Sequence, residues 1–135
     1  MGVDVNTWVQ VLRENEWTRF EENIFLERSG PFSWRDYGLF GFLANIRNYS
    51  RVPVITPIEQ RSFFYAEFLL SQLLDFDYDA IFEDRRHNGS ALPEGEGKIV
   101  TFREFLGKPY FDDIDTLKSL GKPDEVKMIM FFDGD

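Results

Sequence analysis

RDYGLFGFLANIRN, residues 35–48, is the stretch on which the fold turns. Its middle is apolar almost all round, which is the mark of a helix buried on every side. Gly38, Gly41 and Ala44 recur every three residues and leave a thin stripe along it. Such a stripe predicts that another backbone comes close. Each glycine costs about 1 kcal/mol relative to alanine in a helix interior, so packing must compensate. Upstream, Gly30-Pro31 punctuates a loop over 21–34. Ser33, with Asp36 three residues on, reads as a weak capping box for the helix.

On the N-terminal side, residues 3–13 alternate. Val3, Val5, Thr7, Val9 and Val11 fall on one side, and Asp4, Asn6, Trp8 and Gln10 on the other. Period two with β-branched residues predicts a strand with one buried face. Glu14-Asn15-Glu16 is tight and polar, so Trp17–Phe20 can return as the second strand of a hairpin, although no Asn-Gly follows the first strand.

On the C-terminal side, Pro53 and Pro57 keep residues 49–60 extended. Residues 62–70 read as a strand leading into a short helix, Ser71–Phe76, with one helix over 61–74 as the competing reading. RRHNGSALPEGEG, residues 85–97, reads as a surface loop, and Lys98–Val100 as a short strand. Thr101-Phe102-Arg103-Glu104 has the spacing of a capping box. It opens a short helix that stops at Gly107. Pro109 suits the first turn of a second helix reaching about Leu120. Asp112, Asp113 and Asp115 lie near the positive end of its macrodipole and Lys118 near the other, with Gly121 as C-cap. Val126–Phe132 is a hydrophobic final strand. The expected fold is therefore α+β: a small, mostly antiparallel sheet packed on the buried central helix, with two short C-terminal helices.

The chain has 135 residues, which fits one domain at roughly 100–200 residues each, so a single globular domain over 1–135 is expected. A 43% apolar content with 15 Phe, 5 Tyr and 3 Trp supplies a real core and excludes a disordered chain. The absence of cysteine removes disulfides and Cys-based zinc sites, and fits a reducing cytosol. The longest uncharged apolar run, residues 37–46, falls well short of the roughly 20 residues a membrane span needs. MGVDVNTW lacks the basic and apolar regions of a signal peptide. A cytoplasmic protein without a membrane partner is expected.

With 24 acids against 15 bases the net charge is −9. Such a field disfavours direct nucleic-acid contact and favours a partner with a basic groove; solubility alone is the competing explanation. Residues 61–97 carry 8 acids and 3 bases, more lopsided than either flank. Within them, Asp75, Asp77, Tyr78, Asp79, Glu83 and Asp84 form an acidic–aromatic candidate docking segment. Carboxylates alternating along one strand face would mimic nucleic-acid phosphates. The segment lacks the Gly and closing Glu of an EF-hand loop, so calcium is discounted. A solvated acidic face is the competing reading.

A second candidate site is Asn45, Arg47, Asn48, Tyr49 and Arg51, at the end of the central helix. Two guanidiniums beside amides and a ring can hold a phosphate or carboxylate and stack a base. Cations at a helix C-terminus also occur for stability alone. A third is Arg85-Arg86-His87-Asn88. His87 is the only histidine, so a His-pair metal site is excluded. No nucleophile elbow, P-loop, Rossmann glycine pattern or zincin motif is present, so no catalytic residue, metal ligand or cofactor is assigned.

TFREFLGKPYFDDIDTLKSLGKPDEVKMIMFFDGD, together with YGLFGFLANIRNYS and LLDFDYDAIFEDRR, resembles a group of small uncharacterised proteins encoded by tailed bacteriophages. These share a start like MGVD, a central helix ending in RNY, a segment like ELLxFDWD and a tail like REFLG–LKxLG–DVRxVFWFD. The likeness covers about two thirds of the chain. The His- and Ser-rich stretch before ELL is replaced here by FFYAEFLLSQLL, so a role tied to those histidines is not carried over. The resemblance implies a phage accessory protein in the cytoplasm of an infected host. With the charge, it implies one that binds and inhibits a host protein, in antiviral defence for example, as a DNA-mimicking anti-CRISPR does. The alternatives are a protein that sequesters a nucleotide signal, as an oligomer, through the Asn45–Arg51 residues, and a metal-dependent phosphoesterase built on the acids.

Overall fold

The computed structural model describes residues 2–22, 24–25, 30–57, 59–62 and 65–134, with the backbone alone at 59–62. In chain order the elements are β1 Asp4–Arg13, β2 Glu16–Arg19, α1 Tyr37–Ala44, β3 Glu59–Ser62, β4 Tyr65–Leu69, α2 Leu70–Asp75, β5 Ile81–Asp84, β6 Arg86–His87, β7 Ser90–Ala91, β8 Lys98–Thr101, α3 Phe102–Lys118 and β9 Val126–Asp133. The fold is α+β with antiparallel sheets. It divides into two compact units. A sheet unit comprises Met1–Arg35, Pro57–Phe76 and Lys108–Asp135, and a helix unit comprises Asp36–Thr56 and Asp77–Gly107. Each unit is assembled from separated segments, so neither is a contiguous piece of chain.

In the sheet unit, five antiparallel strands run in the order β2-β1-β9-β4-β3. The alternation expected of residues 3–13 is present: Thr7, Val9 and Val11 are buried. They pair with Met130, Met128 and Val126 on the hydrophobic last strand, which also pairs Ala66 and Phe68 of β4. Because side chains of paired residues share a face, these form one apolar layer. The hairpin forms without Asn-Gly: Glu14 and Asn15 both take positive φ, at 51° and 66°, as a two-residue type I′ turn demands. On the opposite face Glu67 is buried beside its strand partner Ile129. Its carboxylate accepts from the Tyr65 hydroxyl and lies 3.9 Å from Lys127 Nζ. Lys127 in turn sits 4.2 Å from the Trp17 ring centroid. Tyr65–Leu69 is a strand that leads into the short helix Leu70–Asp75, so one helix over 61–74 does not form. The Phe64 end of that strand reading lies outside the described residues.

In the helix unit, α1 is shorter than the sequence suggests. Asp36, not Ser33, caps it, accepting from the Gly38 and Leu39 N–H groups. The Ser33 hydroxyl instead donates to Gly30 O. The helix ends at Asn45, whose φ of 57° makes it a left-handed C-cap. Every residue from Gly38 to Ala44 is buried. The glycine stripe admits side chains, where the sequence suggested a backbone. A Cβ on Gly41 would lie 2.6 Å from Asn48 Oδ1, and one on Gly38 2.7 Å from the Phe105 ring. The rings of Phe42, Tyr78, Phe82, Phe102 and Phe105 pack as a chain of tilted and edge contacts.

Two C-terminal helices are present, as expected, with a break at Gly107, where φ is 79° and ψ 173°. That is a backbone region open essentially to glycine alone. The capping box forms: Thr101 Oγ1 accepts from Glu104 N–H at 3.0 Å and Glu104 Oε1 accepts from Thr101 N–H at 3.3 Å. Gly121 does not act as a left-handed cap. The last turn closes earlier, with Ser119 and Leu120 N–H bonded to Thr116 and Leu117 O.

Candidate functional site

Asn48 organises the segment after α1. Its Oδ1 accepts from Val52 N–H at 3.1 Å, and its Nδ2 donates to Val52 O at 2.8 Å and to Asn45 Oδ1 at 3.1 Å. Seated against Gly41, it folds residues 45–52 into a tight loop. Three non-glycine residues there have positive φ: Asn45 at 57°, Arg47 at 46° and Arg51 at 55°. For a long side chain this conformation costs about 1–2 kcal/mol, and such outliers persist where the surroundings hold them.

Arg85 ties this loop to the segment after β5. Its N–H donates to Ser50 O at 2.9 Å, its carbonyl accepts from Leu92 N–H at 2.7 Å, and its Nε donates to Leu92 O at 2.7 Å. Residues 85–97 are thereby more than a surface loop. β6 and β7 pair as a small hairpin with the register Arg86↔Ala91 and His87↔Ser90. Asn88 and Gly89 form its turn at φ 46° and 77°. The Asn-Gly dipeptide is the sequence signal for such a hairpin, and it was readable.

Between the loop and the hairpin lies a groove of about 410 Å³, lined by Asn48, Tyr49, Arg51, Gly89, Ser90 and Ala91. Three of the five residues of the second candidate set thus meet in one concavity. The other two do not: Asn45 caps the helix, and the Arg47 guanidinium lies 5.4 Å from the Tyr37 ring centroid. The Tyr49 ring makes an edge contact with Tyr37 at 6.4 Å. Arg51 is exposed.

The acidic segment does not form an alternating strand face. Asp75 is exposed at the end of α2, in the sheet unit, whereas the other five residues belong to the helix unit. Asp77 Oδ1 accepts from the Asp79 N–H at 3.1 Å, closing a turn. Tyr78 is buried. Asp79 is 3.0 Å from Arg103 Nε, and Asp84 accepts from Arg86 N–H and Nη2, both at 3.1 Å. Glu83 accepts from Gly95 N–H at 3.1 Å and Gly97 N–H at 3.0 Å. The Gly95 bond and then the Gly97 bond hold its carboxyl below the ordinary value of 4.5; desolvation pushes the other way less strongly than either, and Arg85 adds a smaller lowering effect. Much of this charge is therefore spent inside the chain. The excess lies elsewhere: the sheet unit carries 16 acids against 9 bases and the helix unit 8 against 6.

Arg86 also stacks over Phe105 at 5.0 Å. His87 is exposed, with Asn88 Nδ2 3.5 Å from its Nε2. Among the described residues no three His, Asp or Glu side chains come together as metal ligands would. No helix among them is long and apolar enough to cross a membrane.

Fold and groove together define an α+β chain with a loop-built cleft, carrying one exposed guanidinium and one aromatic ring. No protein-family model matches the chain, and no curated protein or solved structure matches it.

Proposed function

We propose that the protein binds a small anionic ligand with a planar group, of the nucleotide class, in the groove between residues 48–51 and the β6–β7 hairpin. One observation carries this reading: Tyr49 and Arg51 line the same concavity. A phenol ring offers a stacking surface, and a guanidinium pairs bidentately with phosphate or carboxylate. Asn48 serves as the brace that holds both in place. The positive φ of Arg51 supports the reading, since backbone strain of this kind gathers at ligand clamps.

The test is thermal unfolding with a panel of cyclic nucleotides, ADP-ribose derivatives and inorganic phosphate. A ligand at a hundredfold excess over its dissociation constant adds about 2.7 kcal/mol of stability. Arg51→Ala and Tyr49→Ala are to abolish that shift while leaving the ligand-free transition in place. A panel in which no member stabilises the protein removes the proposal.

A second reading is favoured by the uneven charge. A host protein with a basic surface would dock against the acid-rich sheet unit, and the likeness to small phage proteins supports an inhibitory role for such a contact. Asp75, which is exposed, is the member of the acidic segment lying in that unit. Reversing the charge of Asp75 is to weaken a salt-sensitive complex recovered from host lysate. Unchanged recovery dismisses this reading and leaves the first untouched.

A further inference from the structure

The hairpin that walls the groove carries a chemistry of its own. Asn88-Gly89 is the chain's single Asn-Gly sequence; the other asparagines, Asn6, Asn15, Asn23, Asn45 and Asn48, precede Thr, Glu, Ile, Ile and Tyr. Both turn residues are exposed. A Cβ placed on Gly89 would have nothing within 4 Å, so the space beside this residue is open. That N–H meets no acceptor among the described residues. Among the described residues, the Asn88 side chain makes one long contact, of its amide nitrogen with His87 Nε2 at 3.5 Å. Electrophile and nucleophile are therefore adjacent in sequence and both exposed to solvent.

The geometry points to Asn88 as a site of spontaneous deamidation. The Gly89 peptide nitrogen attacks Asn88 Cγ. A new N–Cγ bond forms, the Cγ–Nδ2 bond breaks, and the nitrogen's proton leaves with the amide as ammonia, closing a five-membered succinimide. Water then opens the ring at either carbonyl, giving aspartate or isoaspartate, with no change of oxidation state. Glycine makes this possible because a side chain next to the attacking nitrogen would crowd the ring. Bulky residues after the other asparagines supply that obstruction.

Both products alter the groove. Each adds a carboxylate to the turn whose Gly89 lines the cleft opposite Arg51. Isoaspartate also inserts a methylene into the backbone of the turn that joins the paired residues His87 and Ser90. The modification itself does not depend on what the groove binds.

The experiment is incubation of the folded protein in warm, mildly alkaline buffer, followed by peptide mass mapping over time. The expected result is replacement of the amide by hydroxyl at Asn88 first, as separable aspartyl and isoaspartyl forms. The five other asparagines serve as controls in the same sample. Gly89→Ala is to slow the conversion, and Asn88→Gln is to abolish it. The same chain in denaturant gives the rate when the hairpin is absent. If Asn88 keeps its amide in the folded protein while losing it in denaturant, or if another asparagine converts first, the inference is overturned.

Discussion

The Asp113 carboxylate accepts the backbone N–H of Phe32 at 2.8 Å, joining residues 81 positions apart in the sheet unit. Phe32 is fully buried, has a φ of 55°, and stacks on Tyr110 with centroids 4.6 Å apart. Asp113 reads in the sequence as one of three acids complementing a helix N-terminus. It is instead the buried one, while Asp112 pairs with Lys108 on the surface.

Asp113→Ala is expected to destabilise the protein by about 1–3 kcal/mol, because it strands a buried donor. Asp113→Asn keeps an acceptor oxygen and is to lose less. Urea unfolding of the two variants checks the order. Equal losses would mean that the bond to Phe32 is not the cause.

Gly107→Ala forces a side chain into a backbone region open to glycine alone, at a cost of about 1–3 kcal/mol. The alternative for the mutant chain is to straighten the break between the two halves of α3. Thermal unfolding reads the first outcome and circular dichroism the second. A variant unchanged in both would contradict the observed backbone.

Thr101→Ala removes the hydroxyl that caps the first half of α3. The expected loss is about 1 kcal/mol, as for other capping threonines, and Thr101→Ser is to recover most of it. Denaturant midpoints for the three proteins decide the matter.

Glu83 gives the Gly95–Gly97 segment a pH dependence of known sign. Its carboxyl is held below the ordinary 4.5 by the two backbone N–H bonds and by Arg85. A group with a lowered folded value contributes stability that is complete above its unfolded value and is lost as pH falls through the folded one. The amide resonances of Gly95 and Gly97 are therefore expected to shift together below the usual glutamate range. Glu83→Gln is to remove that transition. Glycine resonances that titrate identically in the variant would exclude Glu83 as the cause.

The opposite charge reading concerns Asp79 and Arg103, which pair at 3.0 Å with most of both side chains in water. Exposed pairs of this kind contribute about 0–1 kcal/mol. Asp79→Ala is thus expected to leave the unfolding midpoint nearly unchanged. A large loss would show the contact to be far better shielded than its exposure indicates.

What the sequence determined by itself is whatever depends on neighbours along the chain. Alternation of Val5 to Val11, the Thr101–Glu104 spacing, the stop at Gly107 and the apolar run of the last strand each encode a local conformation, because their partners lie within a few residues. The Asn88-Gly89 turn was equally local and was hidden only by the polar composition around it. Tertiary structure alone decided the rest. Helix α1 stops at Asn45 because Asn48 folds back onto Gly41, a contact that no periodicity reveals. The acids after Leu74 read as one face, yet Asp79 is claimed by Arg103, Asp84 by Arg86 and Glu83 by the amides of Gly95 and Gly97. Whether a charged side chain meets water or its own chain depends on residues far away in sequence, and that is why the groove at Tyr49 and Arg51 took shape only when the chain was folded.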